Sequence, residues 1–98
     1  MSTLVAAVTA EGRFVRSRGT AADATSHSVD SGVYKIDFNR DITACYAFAA
    51  IATTRGNTAS GEIAAEIGTG ANAQSVFVRT GESNGTAADL PFHLLVSC

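Results

Sequence analysis

A thiol nucleophile served by a histidine base is the first chemistry to look for in this chain, and its ingredients are few. Cys45 and Cys98 are the two cysteines, and His27 and His93 the two histidines. Covalent catalysis needs a thiolate with a base in hydrogen-bond reach. Cys45 lies in the run ITACYAFAA, an apolar setting that raises a thiol pKa rather than lowering it. Two readings compete with catalysis: a Cys45–Cys98 disulfide, which suits a secreted context, and two buried free thiols, which suit a reducing compartment.

The other candidates for chemistry are weaker. A zinc site takes three or four ligands at close spacing, and two isolated histidines do not supply them. His93 alternates outward between Phe92 and Leu94, and His27 sits in a Ser/Thr-rich stretch, so both read as surface or interface residues. Asp37, Asn39 and Asp41 could offer oxygens to calcium, but the loop spacing with its central glycine and distal glutamate is absent. Asp41 reads instead as a turn cap. Glu62 and Glu66 on one strand stand about 13 Å apart, beyond the separations that glycoside hydrolysis uses. No glycine pattern for cradling phosphate and no serine-nucleophile motif occurs. Asn84-Gly85-Thr86 matches a glycosylation acceptor, although Asn-Gly is first of all a turn signal. No catalytic residue, metal or cofactor is therefore expected, and the chain reads as a non-enzyme.

Which elements would position these residues? A length of 98 residues fits one domain, 1–98, with one modest core. Hydrophobic residues make up 46%, much of it alanine, so the core depends on close backbone approach. Charged residues are 16%. An average domain has roughly 25%. The shortfall suggests that part of the surface does not face water. A net charge of −2 argues against nucleic acid as a partner, since that needs a basic stripe. Arg13, Arg16 and Arg18 cluster, but between turn residues they read as a solvated edge. No window reaches the ~18 apolar residues of a membrane span, and no signal peptide is visible at the start.

Alternation predicts strands throughout. Thr3–Thr9 and Arg13–Arg18 form a hairpin around Ala10-Glu11-Gly12. Ala24–Val29 reads as a weak strand before an Asp30-Ser31-Gly32 turn. Val33–Phe38 alternates most cleanly, with Tyr34, Ile36 and Phe38 on one side and Lys35 and Asp37 on the other. Asn39-Arg40-Asp41 then leads into Ile42–Thr54, and these two strands are expected to pair as a hairpin. Glu62–Ile67 is too short between its flanking glycines for a stable helix and reads as a strand. Ser75–Thr80 and Phe92–Cys98 complete the series. Seven or eight short strands without a long amphipathic helix predict an all-β, antiparallel β-sandwich, jelly-roll-like.

Within Ile42–Thr54, Cys45, Ala47, Ala49 and Ile51 share one face, and Tyr46, Phe48, Ala50 and Ala52 the other. Neither face carries a charge. If the cysteines pair, the first set lies in the core and the second projects outward, as an apolar patch of the kind that marks an association surface. The opposite assignment, with Tyr46 and Phe48 in the core, is the competing reading.

The run GVYKIDFNRDITACYA (Gly32 to Ala47) resembles a G-x-Y-x-V-x-F-x-R-D-V segment that precedes a cysteine in a small module of actinobacterial and phage-associated proteins. RTGESNGTAADLPFHLLVSC (Arg79 to Cys98) resembles the same module's closing F-H-L-x-V-x-C, and AEGRFVRSRG (Ala10 to Gly19) shares the likeness. The likeness implies a β fold with paired cysteines. It also implies a place at the end of surface or fibre-like chains, with a structural or recognition role. It carries over no functional residues.

The function expected is therefore a non-catalytic assembly module, such as the head of a phage or cell-surface fibre. It would be extracellular or on a virion surface, and would associate with itself, three copies being the first expectation. The interface would be Tyr46, Phe48, Ala50 and Ala52. The alternative is a carbohydrate-binding module that takes a surface glycan on Asn57, Asn72, Asn84 and Asp89.

Overall fold

The described residues form eight strands: β1 (Thr3–Val8), β2 (Phe14–Arg18), β3 (Ala22–Ser28), β4 (Val33–Phe38), β5 (Tyr46–Ile51), β6 (Glu62–Ile67), β7 (Ser75–Gly81) and β8 (Phe92–Ser97). The computed structural model describes residues 3–18, 22–28, 31–38, 40–52 and 61–98, with the backbone alone for 14–18 and 22–28. Period-two alternation explains the strands. Leu4, Ala6 and Val8 of β1, Tyr34, Ile36 and Phe38 of β4, and Phe92, Leu94 and Val96 of β8 are all buried.

The strands form two antiparallel four-stranded sheets, ordered β2-β1-β8-β5 and β3-β4-β7-β6. Their inward faces share one core, built from Leu4, Val8, Ile36, Phe38, Val76 and Val78 among others. Tyr34 of the second sheet meets Phe92 of the first edge-to-face, with ring centroids 4.9 Å apart and planes inclined at 68°. An aromatic pair in this geometry gains from ring quadrupoles beyond its buried area.

The turns follow the glycines. The β1–β2 turn closes with Gly12 at φ 87, its N–H donating to the Thr9 carbonyl at 2.9 Å. Gly32, at φ 68, opens β4, and its carbonyl accepts the Thr80 N–H at 2.7 Å. A Cβ there would collide with the Thr80 carbonyl oxygen as well as force a positive φ, so two independent constraints demand glycine.

Two sequence expectations are corrected. Val33–Phe38 and the alanine-rich strand do not pair as a hairpin. β4 lies between β3 and β7, whereas β5 pairs with β8 in the other sheet. The apolar strand also starts later than expected, at Tyr46 instead of Ile42. Both differences have one cause. Ile42 is fully buried and its N–H donates to the Ala73 carbonyl at 2.9 Å, so the chain is tied down midway and carried across the core. The turn that follows is held by Asp41, whose Oδ1 accepts both the Thr43 N–H and the Thr43 hydroxyl. Those two bonds hold the exposed Asp41 carboxyl below its ordinary range, the hydroxyl contributing most.

Candidate functional site

The site is built from the outward residues of three neighbouring strands. Antiparallel register aligns them in three rows: Thr3, Ser97 and Tyr46; Val5, Leu95 and Phe48; Ala7, His93 and Ala50. Directly opposed side chains on one face of a sheet touch, so the middle row is a continuous apolar band. Tyr46 is 72% exposed and Phe48 61%, and Leu95 between them and β1 is also exposed. The inward residues of β5 behave in the opposite way. Ala47 and Ala49 pack against the core, as does Cys98, which forms a disulfide with the buried Cys45. Of the two assignments left open by the sequence, the structure therefore has the aromatic side outward. Ala50 is exposed with the aromatics, and Ala52, just past the strand, is half-buried.

The two outer faces differ in charge. Over β1, β8 and β5, the nine residues of outward register include no charged group, counting histidine as neutral, and Ala7 among them is buried. Over β4, β7 and β6, the nine are Val33, Lys35, Asp37, Ser75, Phe77, Arg79, Glu62, Ala64 and Glu66, of which five are charged. Lys35 lies 3.9 Å from Asp37, which also accepts a hydrogen bond from the Ser75 hydroxyl. At the far edge of the first sheet, register places Arg18 beside Val5 and Arg16 beside Ala7.

The carbohydrate candidates do not converge. Asn57 lies outside the described residues. Asn72 belongs to a single 3-10 turn between β6 and β7. Asn84 and Asp89 lie beyond the other end of β7. At the rise of an extended strand, the length of β7 separates the two groups by about 20 Å. Asn84 Oδ1 accepts the Thr86 N–H at 3.0 Å, and Asp89 Oδ1 accepts the Gly32 N–H at 2.8 Å, so both side-chain oxygens serve the loop. A hollow near Asn84, lined by Glu62, Ala64, Arg79, Thr80 and Gly85, measures about 250 Å³ and offers no aromatic ring for a sugar to stack on.

Among the described residues no group of three or more His, Cys, Asp or Glu side chains is placed to hold a metal ion. Both cysteines are committed to the disulfide, which leaves no thiol to act as nucleophile. No helix among the described residues is long and apolar enough to cross a membrane.

One polar cluster was not legible in the sequence. The buried Thr80 hydroxyl donates to the Ala88 carbonyl at 2.6 Å and accepts the Leu90 N–H at 3.3 Å. Nearby, the Tyr34 hydroxyl donates to the Ala10 carbonyl at 2.7 Å. Burial, and then the Asp89 carboxylate, push the Tyr34 phenol up to about 12. A folded pKa above the unfolded value near 10 leaves stability intact below pH ~10. Stability is then withdrawn as pH rises toward 12, because the unfolded chain ionises first. The unfolding free energy should be flat from pH 7 to 10 and fall by on the order of 2 kcal/mol by pH 12. Tyr34→Phe should abolish that slope; the same slope in both proteins would assign the effect elsewhere.

No protein-family model, curated protein sequence or solved structure matches the chain.

Proposed function

We propose that the protein is a non-catalytic structural and assembly module, a jelly-roll-like β-sandwich that associates with itself through the outer face of its first sheet. The observation that carries this reading is the charge asymmetry between its outer faces. A fold that met water on both sheets would carry charge on both, yet one face is uncharged over nine positions with Tyr46 and Phe48 at its exposed side. Interface centres are depleted of charge, interfaces are enriched in aromatic residues and arginine, and their rims are polar. Arg16 and Arg18 have such marginal positions by register. Four of the seven strand connections change sheets, which favours the jelly-roll description over a simple meander. The copy number we propose first is three, around a common axis.

The resemblance to phage-associated and surface-chain modules supports a position for such an assembly at the head of a fibre. The disulfide suits an oxidising environment outside the cytoplasm, at a cell or virion surface.

Solution mass by light scattering tests the proposal. The wild type should run as a homo-oligomer at high concentration. Tyr46→Ser with Phe48→Ser should stay folded and lose the association made through this face, since both side chains are exposed in the single copy. Its stability should stay within about 0.5 kcal/mol of wild type, as exposed substitutions usually do. A wild type that stays monomeric at high concentration overturns the reading. A glycan array positive for wild type and negative for Asn84→Ala would establish the carbohydrate alternative.

A further inference from the structure

A sheet edge offers unpaired N–H and C=O groups to any passing strand, and proteins protect their edges with charges, prolines, bulges or twists. Among the described residues four strands lie at sheet edges, and three carry such a device. β2 breaks register between Ala7 and Val8 and bears Arg16 and Arg18. β3 breaks register between Ala22 and Ala24. β6 shows Glu62 and Glu66, both exposed. β5, the fourth, reads YAFAAI, pairs with β8 over six consecutive positions without a shift, and carries no charge and no proline.

Two observations show which of its backbone groups face β8 and which face away. The Ala52 N–H donates to the Pro91 carbonyl at 2.9 Å, which makes that register pair a hydrogen-bonded one. Seven positions back, Cys45 and Cys98 have Cα atoms 4.4 Å apart. A non-hydrogen-bonded pair has a spacing of ~4.5 Å, so the parity agrees. Tyr46, Phe48 and Ala50 therefore turn their N–H and C=O toward β8. Ala47, Ala49 and Ile51 turn theirs away from β8, and among the described residues no backbone hydrogen bond reaches them, although β6 packs alongside β5.

We propose that β5 pairs antiparallel with β5 of a second copy, about a two-fold axis at Ala49, joining two first sheets into one continuous sheet of eight strands. This deepens the proposed self-association and rests on it. Charge selects this edge. A two-fold pairing of β6 would set glutamates close to glutamates, and one of β2 arginines close to arginines, whereas β5 opposes no charges. Shape selects the register. Centred on Ala49, each large residue faces a small one of the partner strand: Phe48 opposite Ala50, Tyr46 opposite Ala52, Ile51 opposite Ala47. Every N–H and C=O of the three edge-facing residues is then used, giving about six hydrogen bonds between copies. Centred elsewhere, the pairing either opposes Phe48 to itself or leaves one of these residues unmatched. The joined sheet keeps its apolar outer face open, so two-fold edges and three-fold faces can close together as six copies.

Ala49→Pro tests the edge separately from the face. Proline removes an N–H that the β5–β8 ladder does not use, a substitution edge strands accept. It removes the central bonds of the pair between copies. Wild type should contain six copies, three about the face and two about each edge, and Ala49→Pro should weaken the two-fold association at least tenfold and leave folded trimers; a wild-type trimer overturns the edge. Hydrogen exchange on the wild type gives a second measure: the amides of Ala47, Ala49 and Ile51 should become protected as concentration rises, those of Tyr46, Phe48 and Ala50 staying unchanged. An assembly of six that survives Ala49→Pro yet dissolves with Tyr46→Ser and Phe48→Ser overturns the edge and keeps the face. Concentration-independent exchange at the three amides also overturns the edge, whatever Ala49→Pro does to folding. A monomeric wild type overturns both.

Discussion

Replacing both cysteines, Cys45→Ala with Cys98→Ala, is expected to lower the unfolding free energy by about 4 kcal/mol. The two cysteines are separated by 53 in sequence. In the chain-entropy model, closing a loop of that size removes this much freedom from the unfolded chain. Small domains have total stabilities of about 5–15 kcal/mol, so the loss leaves little margin. Topology adds to the effect. β5 has β8 as its only strand partner among the described residues, and the disulfide sits where their ladder begins. Urea titration of the variant against the oxidised parent measures the change. Intact mass with and without reductant, differing by two hydrogens, verifies that the parent holds the bond. A loss below about 1 kcal/mol would mean that the unfolded chain is already compact around these residues.

Phe92→Ala should cost a similar amount, about 3–5 kcal/mol. The ring is fully buried and is the one that joins the two sheets by meeting Tyr34 edge-on. Truncation leaves a ring-sized void with rigid strands on every side, so relaxation recovers little. It also removes packing from a tyrosine whose hydroxyl is fixed on the Ala10 carbonyl, and that tyrosine cannot turn to fill the space without breaking the bond. Phe92→Leu should cost roughly 1–2 kcal/mol, because most of the volume stays. Thermal and urea unfolding of the two variants would separate volume from aromatic contact. Equal losses would show that the ring contact carries the stability and the volume does not.

Much of the local structure was readable from alternation. β4 and β6 occupy the ranges that their period-two patterns predict, and the two sides of β5 segregate as the cysteine parity implied. Strand pairing was less readable. Asn39-Arg40-Asp41 looks like a tight connection into a strand at Ile42, but the buried Ile42 ties the chain down before Tyr46 and routes it to the opposite sheet. Nothing local distinguishes a hairpin from a crossover of that length. The unprotected edge was equally hidden, since β5 is an edge only because β8 fills its other side and β4 does not. The sugar-binding candidates are polar loop residues, and the length of β7 keeps Asn72 from Asn84 and Asp89. Thr80 looked like one more strand residue, because its role depends on a loop that folds back over it.

The pairing of β1 with β8, Thr3 opposite Ser97 through Val8 opposite Phe92, bears on the order of folding. β8 is the central partner of both β1 and β5, so the first sheet cannot assemble from neighbours in sequence. On a ribosome, β3, β4, β6 and β7 can complete the second sheet while β1, β2 and β5 still wait for the strand that joins them. Contacts this distant along the chain slow the search for the native pairing. During that delay the uncharged β5 is open on both edges, and nascent copies on one message lie close together. The strand least defended against its own kind thus stays open on both edges until β8 is made, the interval in which unpaired strand edges are prone to aggregate.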